Sequence, residues 1–314
     1  MCILVAILYL YGRTRTSDLY ALPSILAKVP AEWLVPLVAL FVAGFGVKLA
    51  LFPVHTWLPD AYAEAPLPVA VAMAGAMMSA GIYGLVRFVL TPFPQEALRP
   101  FVLPLLIVAV VTQYYGAAMA LAQKQLRRIV AYSSMSQMGY VLFGVATMAA
   151  LGVGGSVLHL LNHGVAKALL FMAVGAVVLS TGGESLDEVG GLARRMPYTA
   201  IACSAAALSL AGAPPLGGFA SEWMILAGGF GSGQAVLSII AVAGSVLTAW
   251  YALWLVKRVF FGPLPEGLGG VREAGASQMV PMILLAVVAL AVGVYPAPFV
   301  DWVRGALKLL ALKM

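Results

Sequence analysis

Five ionisable side chains lie within long, otherwise apolar stretches of this sequence: Lys48, His159, His163, Lys167 and Glu222. An ionisable group at the centre of a bilayer costs roughly 2.5–3.5 kcal/mol on insertion scales, so it usually faces a partner, a cavity or an ion path. Histidine titrates near neutrality and can both accept and release a proton. The chemistry that these residues could perform is therefore proton or ion transfer in an apolar environment.

Three of these residues share one helical face. His159, His163 and Lys167 recur every four residues in HLLNHGVAKALLF, so they follow each other along a helix at about 6 Å per step. A hydrogen bond spans only about 3 Å, and proton transfer along this face would need bridging water. Two other interpretations stay open: simple hydrogen bonding to neighbouring helices, and a metal or haem site, although the motif contains no HExxH pattern and no third ligand.

The elements that must position these residues are membrane helices. The chain has 314 residues, of which 62% are hydrophobic and 10% charged, and its mean hydropathy is +1.00. A spanning helix needs about 20 mostly apolar residues. The pattern predicts an all-α polytopic membrane protein with about nine transmembrane helices, near residues 1–12, 33–56, 67–90, 100–122, 126–150, 154–180, 197–230, 234–261 and 279–300.

Two of the predicted helices are broken by proline. Pro53 interrupts FGVKLALFPVHTWLPD, and Pro214 and Pro215 interrupt SLAGAPPLGGFASEWMIL. Lys48 precedes the first break by five residues, and Glu222 follows the second by seven. Paired broken helices in corresponding halves are typical of an ion or substrate site between inverted repeats.

The spacing of the breaks predicts inverted five-helix repeats within a single transmembrane domain, 1–314. Residues 100–261 would form a complete second repeat and residues 1–90 a partial first repeat. Residues 279–314 would form a C-terminal helix and tail. The apolar start, MCILVAILYLYG, is too short to span a bilayer, and we interpret it as the end of a truncated helix.

The remaining composition excludes several classes of site. The net charge of +6 comes largely from Arg and Lys at helix ends, where they would meet lipid headgroups, so we expect no nucleic-acid partner. The internal loops with Lys124, Arg128 and Arg194 are predicted to be cytoplasmic. Cys2 and Cys203 lie apart without a CxxC motif, and we predict no metal site and no bound cofactor.

Five segments, in order, resemble the antiporter-like membrane subunits shared by respiratory complex I, Mrp-type cation/proton antiporters and membrane-bound hydrogenases. The resemblance implies inverted repeats, each with a broken helix, around a central polar axis that moves protons or couples them to sodium. It also identifies the chain as an N-terminally truncated member. The matching segments are GVKLALFPVHTWLPDAYAEAP, AGAMMSAGIYGLVRF, LRRIVAYSSMSQMGYVLFG, HLLNHGVAKALLF and SLAGAPPLGGFASEWMIL.

The resemblance assigns a role to each of the five residues. Lys48 matches the lysine of the first broken helix, and Glu222 matches the terminal Lys-or-Glu of the second. His159, His163 and Lys167 match the central relay.

Three further residues are possible supporting members. Ser79 stands where the family usually has a lysine, so either a water held by Ser79 links Lys48 to the relay or the first half-channel is inactive. The usual glutamate partner of Lys48 belongs to a helix upstream of Met1. His55 and Asp60 follow the first break in a polar stretch, predicted as a loop, where most such residues are structural.

Three functions remain open. The first is a proton-translocating, or Na⁺/H⁺-translocating, subunit of a complex I-like, membrane-bound hydrogenase or Mrp antiporter complex. The second is a structural subunit with an inactive first half-channel, and the third is a stand-alone secondary transporter. No redox centre is predicted in this chain, so any NADH:quinone oxidoreductase or hydrogenase activity would belong to the complex. The expected partners are other integral membrane subunits, peripheral redox subunits, lipids, and protons or Na⁺ in a prokaryotic plasma membrane.

Overall fold

A computed structural model describes residues 1–309, and these are almost entirely helical, with one isolated β-bridge between Gln125 and Ser185. Residues 310–314 of the predicted C-terminal tail lie outside the described residues. The helices are α1 (Cys2–Thr14), α2 (Leu22–Leu26), α3 (Ala31–Lys48), α4 (Trp57–Glu64), α5 (Leu67–Leu90), α6 (Gln95–Ala122), α7 (Leu126–Ala146), α8 (Ala150–Thr181), α9 (Pro197–Leu210), α10 (Gly217–Gly231), α11 (Ala235–Phe260), α12 (Ala276–Val294) and α13 (Ala297–Leu309).

The helices are long and apolar enough for a polytopic membrane protein. Within residues 1–309, seven could span a bilayer by length and composition: α3, α5, α6, α7, α8, α11 and α12. Shorter apolar helices, α1 and α9, accompany them. When α9 and α10 are taken as one broken helix, each of the nine predicted segments corresponds to a helix in this part of the chain, whereas α4 lies outside them. The all-α polytopic fold is confirmed, whereas the repeat boundaries remain a prediction.

The first broken helix differs in detail from the expectation. Helix α3 ends at Lys48, and residues 49–56 form turns, although the predicted helix ran to residue 56. The polar stretch predicted as a loop forms α4 from Trp57 onwards. Pro59 is compatible with that helix because it lies in the first turn, where backbone N–H groups have no intrahelical acceptor.

The predicted segments 197–230 and 279–300 are also each divided in two. The first contains the expected break, at residues 211–216 between α9 and α10. The second ends as α12 at Val294, and α13 begins at Ala297. Pro296 lies between them, where a residue without an N–H group is compatible with the start of a new helix.

Helix α8 occupies the centre of the bundle, where it contacts α5, α7, α9, α10, α12 and α13. Its neighbour α7 is buried along almost its whole length and packs backbone to backbone on α6. A Cβ atom at Gly116 would lie 2.5 Å from the backbone nitrogen of Ser136, and one at Gly139 would lie 2.6 Å from that of Gln113. Small residues permit this close approach of membrane helices, which fixes α7 against α6.

The outer surface of the bundle is apolar. On α11 and α12, the side chains of Val246, Trp250, Leu284 and Val287 are each more than half exposed. In a membrane such surfaces face lipid or the helices of partner subunits. The chain is therefore an integral membrane protein.

Candidate functional site

The structure places the three predicted residues of the central motif on one buried face of α8. His159, His163 and Lys167 are each at most 1% exposed. The ring centroids of the two histidines are 6.4 Å apart, so no direct hydrogen bond joins the rings. The four-residue spacing thus produces a row of polar groups inside the bundle.

Both ring nitrogens of His159 have protein partners. Nε2 lies 2.7 Å from Oε1 of Gln137 on α7, and Nδ1 lies 2.9 Å from Oγ of Ser221 on α10. Gln137 in turn donates from its Nε2 to the carbonyl of Leu210, the last residue of α9, at 3.2 Å. The imidazole is therefore connected to both sides of the second helix break.

Side chains of α7 and α8 bind the backbone around that break. The carbonyl of Leu210, at the end of α9, receives no hydrogen bond from within that helix and instead accepts one from Gln137. The Gly217 carbonyl, at the start of α10, accepts from Nδ2 of Asn162 at 2.7 Å. Irregular backbone at membrane depth is tolerated where other groups satisfy it, and here those groups come from α7 and from α8, the helix that carries His159.

Glu222 lies against the same break. Its side chain is 5% exposed, and within residues 1–309 its Oε1 has no hydrogen-bond partner. Gly212 has φ of +64°, and a Cβ atom there would collide with Oε2 of Glu222. Glycine thus provides both the left-handed backbone and the space for the carboxylate. Glu222 makes no capping hydrogen bond to the first turn of α10 in the described structure.

Lys167 is fully buried between α8 and α7. Its Nζ donates to the carbonyl of Val130 at 3.2 Å and to the hydroxyl of Ser133. No carboxylate of the described chain lies within 4.0 Å of this ammonium. A charge on Lys167 would therefore be held by hydrogen bonds alone, without a counter-ion.

His163 is the unpartnered member of the row. Both of its ring nitrogens are buried, and no protein group in residues 1–309 is within hydrogen-bonding distance of either. An unsatisfied buried polar atom costs about 1–3 kcal/mol, and in polar interiors water commonly satisfies such atoms. Proton transfer along α8 would depend on water at this position.

Lys48 is placed apart from this network. It ends α3, is only partly buried, and packs against Gly81 of α5. Helix α5 contacts both α3 and α8, so Ser79, two residues before Gly81, lies on the intervening helix. In the described part of the chain no hydrogen bond or ion pair links Lys48 or Ser79 to α8.

The other two supporting candidates contact α6 and α7. The ring of His55 packs on Tyr115 of α6, with centroids 4.7 Å apart. Asp60, on α4, accepts from Arg128 at the start of α7 at 2.8 Å. This ion pair is largely exposed, so it stabilises the contact by less than about 1 kcal/mol.

Four residues of the network were not predicted as functional. Ser133 and Gln137 are in the run SSMSQMG, whose polar groups are usually helix-packing contacts. Asn162 and Ser221 were not singled out. Two signals were available: Asn162 follows His159 by three residues on the same helical face, and Ser221 immediately precedes Glu222.

Comparisons with known proteins show where this architecture occurs. Residues 1–248 match the family described as "NADH:quinone oxidoreductase/Mrp antiporter, TM". The F(420)H(2) dehydrogenase subunit M of Methanosarcina mazei is 38% identical over 259 residues, which cover 82% of this chain and 52% of the relative.

Two solved structures share the fold. A chain of the membrane-bound sulfane sulfur reductase, an archaeal respiratory membrane complex, superposes with a TM-score of 0.89 and 30% identity, covering 94% of this chain and 50% of that one. A chain of respiratory complex I from Thermus thermophilus gives a TM-score of 0.90 and 26% identity, covering 99% and 66%. The chain spans about half the length of the curated relatives it matches. The chain belongs to the NADH:quinone oxidoreductase/Mrp antiporter transmembrane family.

Proposed function

We propose that this chain is a proton-translocating membrane subunit of a multi-subunit complex. The observation that carries the proposal is the buried row His159, His163 and Lys167 on α8. Its first member is hydrogen-bonded to Ser221 on one side of the second helix break and, through Gln137, to the Leu210 carbonyl on the other. Glu222 adjoins the same break with an unpartnered carboxylate oxygen. Titratable groups at an irregular, protein-enclosed backbone are typical of ion paths.

Electrostatic repulsion would couple the two ends of the row. Lys167 and His163 are four residues apart on α8, or about 6 Å along the axis. Two positive charges at that distance repel by about 3 kcal/mol at an effective dielectric constant of about 20. A proton arriving at one end of the row would therefore favour release of a proton at the other end, towards His159 and Glu222.

The chemistry of the row favours protons over Na⁺. A hard cation such as Na⁺ prefers several oxygen ligands, whereas this row offers two imidazoles and an amine. Within residues 1–309, no three His, Cys, Asp or Glu side chains are grouped in a way that could hold a metal ion. We therefore expect proton pumping in proteoliposomes to continue when Na⁺ is replaced by K⁺. A strict Na⁺ requirement would contradict this assignment.

The partners are proposed from the relatives. The F(420)H(2) dehydrogenase relative is named as a subunit, and the two solved chains come from an archaeal respiratory membrane complex and from respiratory complex I. The apolar outer surface of α11 and α12 could meet neighbouring membrane subunits as well as lipid. Peripheral redox subunits would then supply the driving reaction, since the row itself contains only proton-exchanging groups.

The test is a Lys167→Met substitution in the assembled complex. Proton pumping in proteoliposomes, normalised to the amount of this chain incorporated, should fall at least about tenfold, because the row loses a charge-bearing member. Lys257→Met is the matched control, since Lys257 is exposed at the end of α11, and it should pump normally. Unaltered pumping by Lys167→Met would contradict the proposal.

One observation favours a structural role as the second candidate. Lys167 bonds α7 through Val130 and Ser133, so it also joins two helices of the core. If that is its only role, Lys167→Met should reduce assembly or thermal stability while each assembled complex pumps normally. Measuring assembly and pumping on the same preparation separates the two functions.

A further inference from the structure

The amide of Gln137 can take only one orientation. Its Nε2 faces the carbonyl of Leu210 at 3.2 Å, and a carbonyl only accepts hydrogen bonds, so the NH₂ group must be at this end. Its Oε1 therefore faces Nε2 of His159, at 2.7 Å, and can only accept. It follows that Nε2 of His159 carries a hydrogen whether the imidazole is neutral or charged.

The hydroxyl of Ser221 faces three groups and has only one hydrogen. Nδ2 of Asn162, whose orientation is fixed by the carbonyl of Gly217, donates to this oxygen at 2.9 Å. One lone pair of Ser221 is thereby used. Its hydrogen can go either to the carbonyl of Gly218, at 2.9 Å, or to Nδ1 of His159, also at 2.9 Å.

These constraints leave two complete hydrogen-bond patterns. When His159 is neutral, Nδ1 has a lone pair, and the Ser221 hydroxyl donates to it. When a proton adds to Nδ1, one N–H bond forms and the Nε2–H bond stays intact. Nδ1–H then donates to the second lone pair of Ser221, whose hydrogen turns to the carbonyl of Gly218. Release of the proton from Nδ1 restores the first pattern.

We infer that Gln137 holds His159 as the Nε2–H tautomer, that the exchangeable proton of His159 resides on Nδ1, and that the Ser221 hydroxyl transmits this proton's presence to the second helix break. Gly218 lies in the first turn of α10, four residues before Glu222. The switch therefore changes a hydrogen bond in the half-helix that carries Glu222. Gln137 and Ser221 act as positioning residues on the proposed proton path, so their part in transport rests on the proposed function.

The ionisable neighbours of His159 come from three helices. His163 is on α8 itself, with its ring centroid 6.4 Å away, and Tyr140 of α7 is 6.5 Å away. Glu222 follows Ser221 on α10. None of these replaces the Gln137 and Ser221 contacts, because both ring nitrogens of His159 are already partnered.

The tautomer can be measured directly because the chain has three histidines. The full chain, labelled with ¹⁵N-histidine and embedded in lipid bilayers, would give three imidazole spin systems in solid-state NMR. His55→Asn and His163→Gln each remove one, which assigns His159. We expect neutral His159 to show a protonated Nε2 and an unprotonated Nδ1. A neutral His159 protonated at Nδ1 would overturn the inference, and this test needs no variant of His159, Gln137 or Ser221.

Gln137→Leu tests the cause of the tautomer. Without the amide, the neutral ring should populate both tautomers, whereas Gln113→Leu should leave it unchanged. Gln113 is also a buried glutamine, but it donates to the carbonyl of Ala241, away from His159. An unchanged tautomer in Gln137→Leu would overturn the part assigned to Gln137.

The hydroxyl switch has its own readout. Labelling with ¹³C-carbonyl glycine and ¹⁵N-phenylalanine selects the Gly218–Phe219 peptide and two other Gly–Phe peptides. The Gly218 carbonyl shift should change as His159 is protonated, and this change should be absent in Ser221→Ala but present in Ser204→Ala. A pH-independent Gly218 carbonyl during His159 protonation would overturn the switch. These spectra do not depend on pumping. A Gly218 carbonyl shift that does not respond to His159 would contradict the switch even if Lys167→Met abolishes transport. Normal transport by Lys167→Met would contradict the proposed function even if the carbonyl shift responds.

Discussion

At the first helix break, residues 49–56, one hydrogen bond joins the break to α6 and another joins the two flanking helices, and neither involves an ionisable group. The backbone N–H of Phe52 donates to the hydroxyl of Thr112 at 3.1 Å, and the indole of Trp57 donates to the carbonyl of Val47 at 2.8 Å. At the second break, residues 211–216, the flanking carbonyls of Leu210 and Gly217 are bound instead by side chains that also contact His159 or its partner Ser221.

We propose from this difference that a proline break alone does not make an ion site. Both breaks interrupt an apolar helix and have an ionisable residue nearby, yet only Glu222 adjoins a helix with a row of titratable groups. Lys48 is separated from that row by α5, where Ser79 has no titratable group. We therefore expect the second break to carry ion transfer and the first to act mainly as a structural element.

Gly212→Ala should have the largest effect on this comparison. Placing Ala at φ of +64° costs about 1 kcal/mol net, and the new Cβ would displace the Glu222 carboxylate. We expect the complex to lose about 2–3 kcal/mol of stability by thermal unfolding and to pump at least about tenfold more slowly. Gly233→Ala is the control, since Gly233 has φ of +79° but open space around it. It should lose about 1 kcal/mol and pump normally. Equal pumping by the two variants would remove the special role of the second break.

Removing the side chain that binds the backbone at each break should have the second-largest effect on stability and pumping. Gln137→Leu leaves the Leu210 carbonyl and the His159 Nε2–H group unpaired, at a cost of about 2 kcal/mol. Thr112→Val leaves only the Phe52 N–H unpaired, at a cost of about 1 kcal/mol. Thermal unfolding measures both costs. Pumping should fall in Gln137→Leu alone, and a pumping loss in Thr112→Val would show that the first break participates.

Relieving the backbone strain at the first break should leave pumping unchanged. Ala50 has φ of +53°, a conformation that favours glycine. Ala50→Gly removes about 1–2 kcal/mol of backbone strain from the folded state. The same change gives the unfolded chain more conformational freedom, which lowers stability by about 0.4–1 kcal/mol. Because Ala50 is fully buried, loss of its methyl group costs about a further 0.8 kcal/mol, so we expect a net change of less than about 1 kcal/mol in thermal unfolding with unchanged pumping. Faster or slower pumping would indicate that the strained turn has a function.

The exposed ion pair beside the first break should matter least. Asp60→Asn weakens the bond to Arg128, which is largely solvated, and should change the free energy of unfolding by less than about 1 kcal/mol. Pumping should be unaffected. A clear loss of pumping would place Asp60 on an entry path to the row and would blur the distinction between the two breaks.

Much of the fold could be predicted from residue patterns. The apolar segments and the prolines predicted the helices and both breaks, and the four-residue spacing of His159, His163 and Lys167 predicted their shared face. Helix α4 was not predicted because its proline and its charges are typical of a loop, although Pro59 is acceptable in a first helical turn.

The connections within the site could not be predicted in the same way. Gln137 meets His159 and the Leu210 carbonyl because α7, α8 and α9 pack together at one depth, which depends on close approaches such as that of Gly144 on α7 to the Gly152 carbonyl on α8. A free carbonyl belongs to every helix end, so no residue type marks Leu210. Ser221 and Asn162 are common helix-packing residues whose role depends on which groups lie opposite them.

The most direct test compares the ionisable residue of each break in one preparation. Proton pumping per assembled complex would be measured for Glu222→Gln and Lys48→Met, with Glu266→Gln, an exposed loop residue, as the control. We predict a loss of at least about tenfold for Glu222→Gln, less than about twofold for Lys48→Met, and no change for Glu266→Gln. An equal or larger loss in Lys48→Met, or normal pumping by Glu222→Gln, would contradict the claim that the second break carries ion transfer.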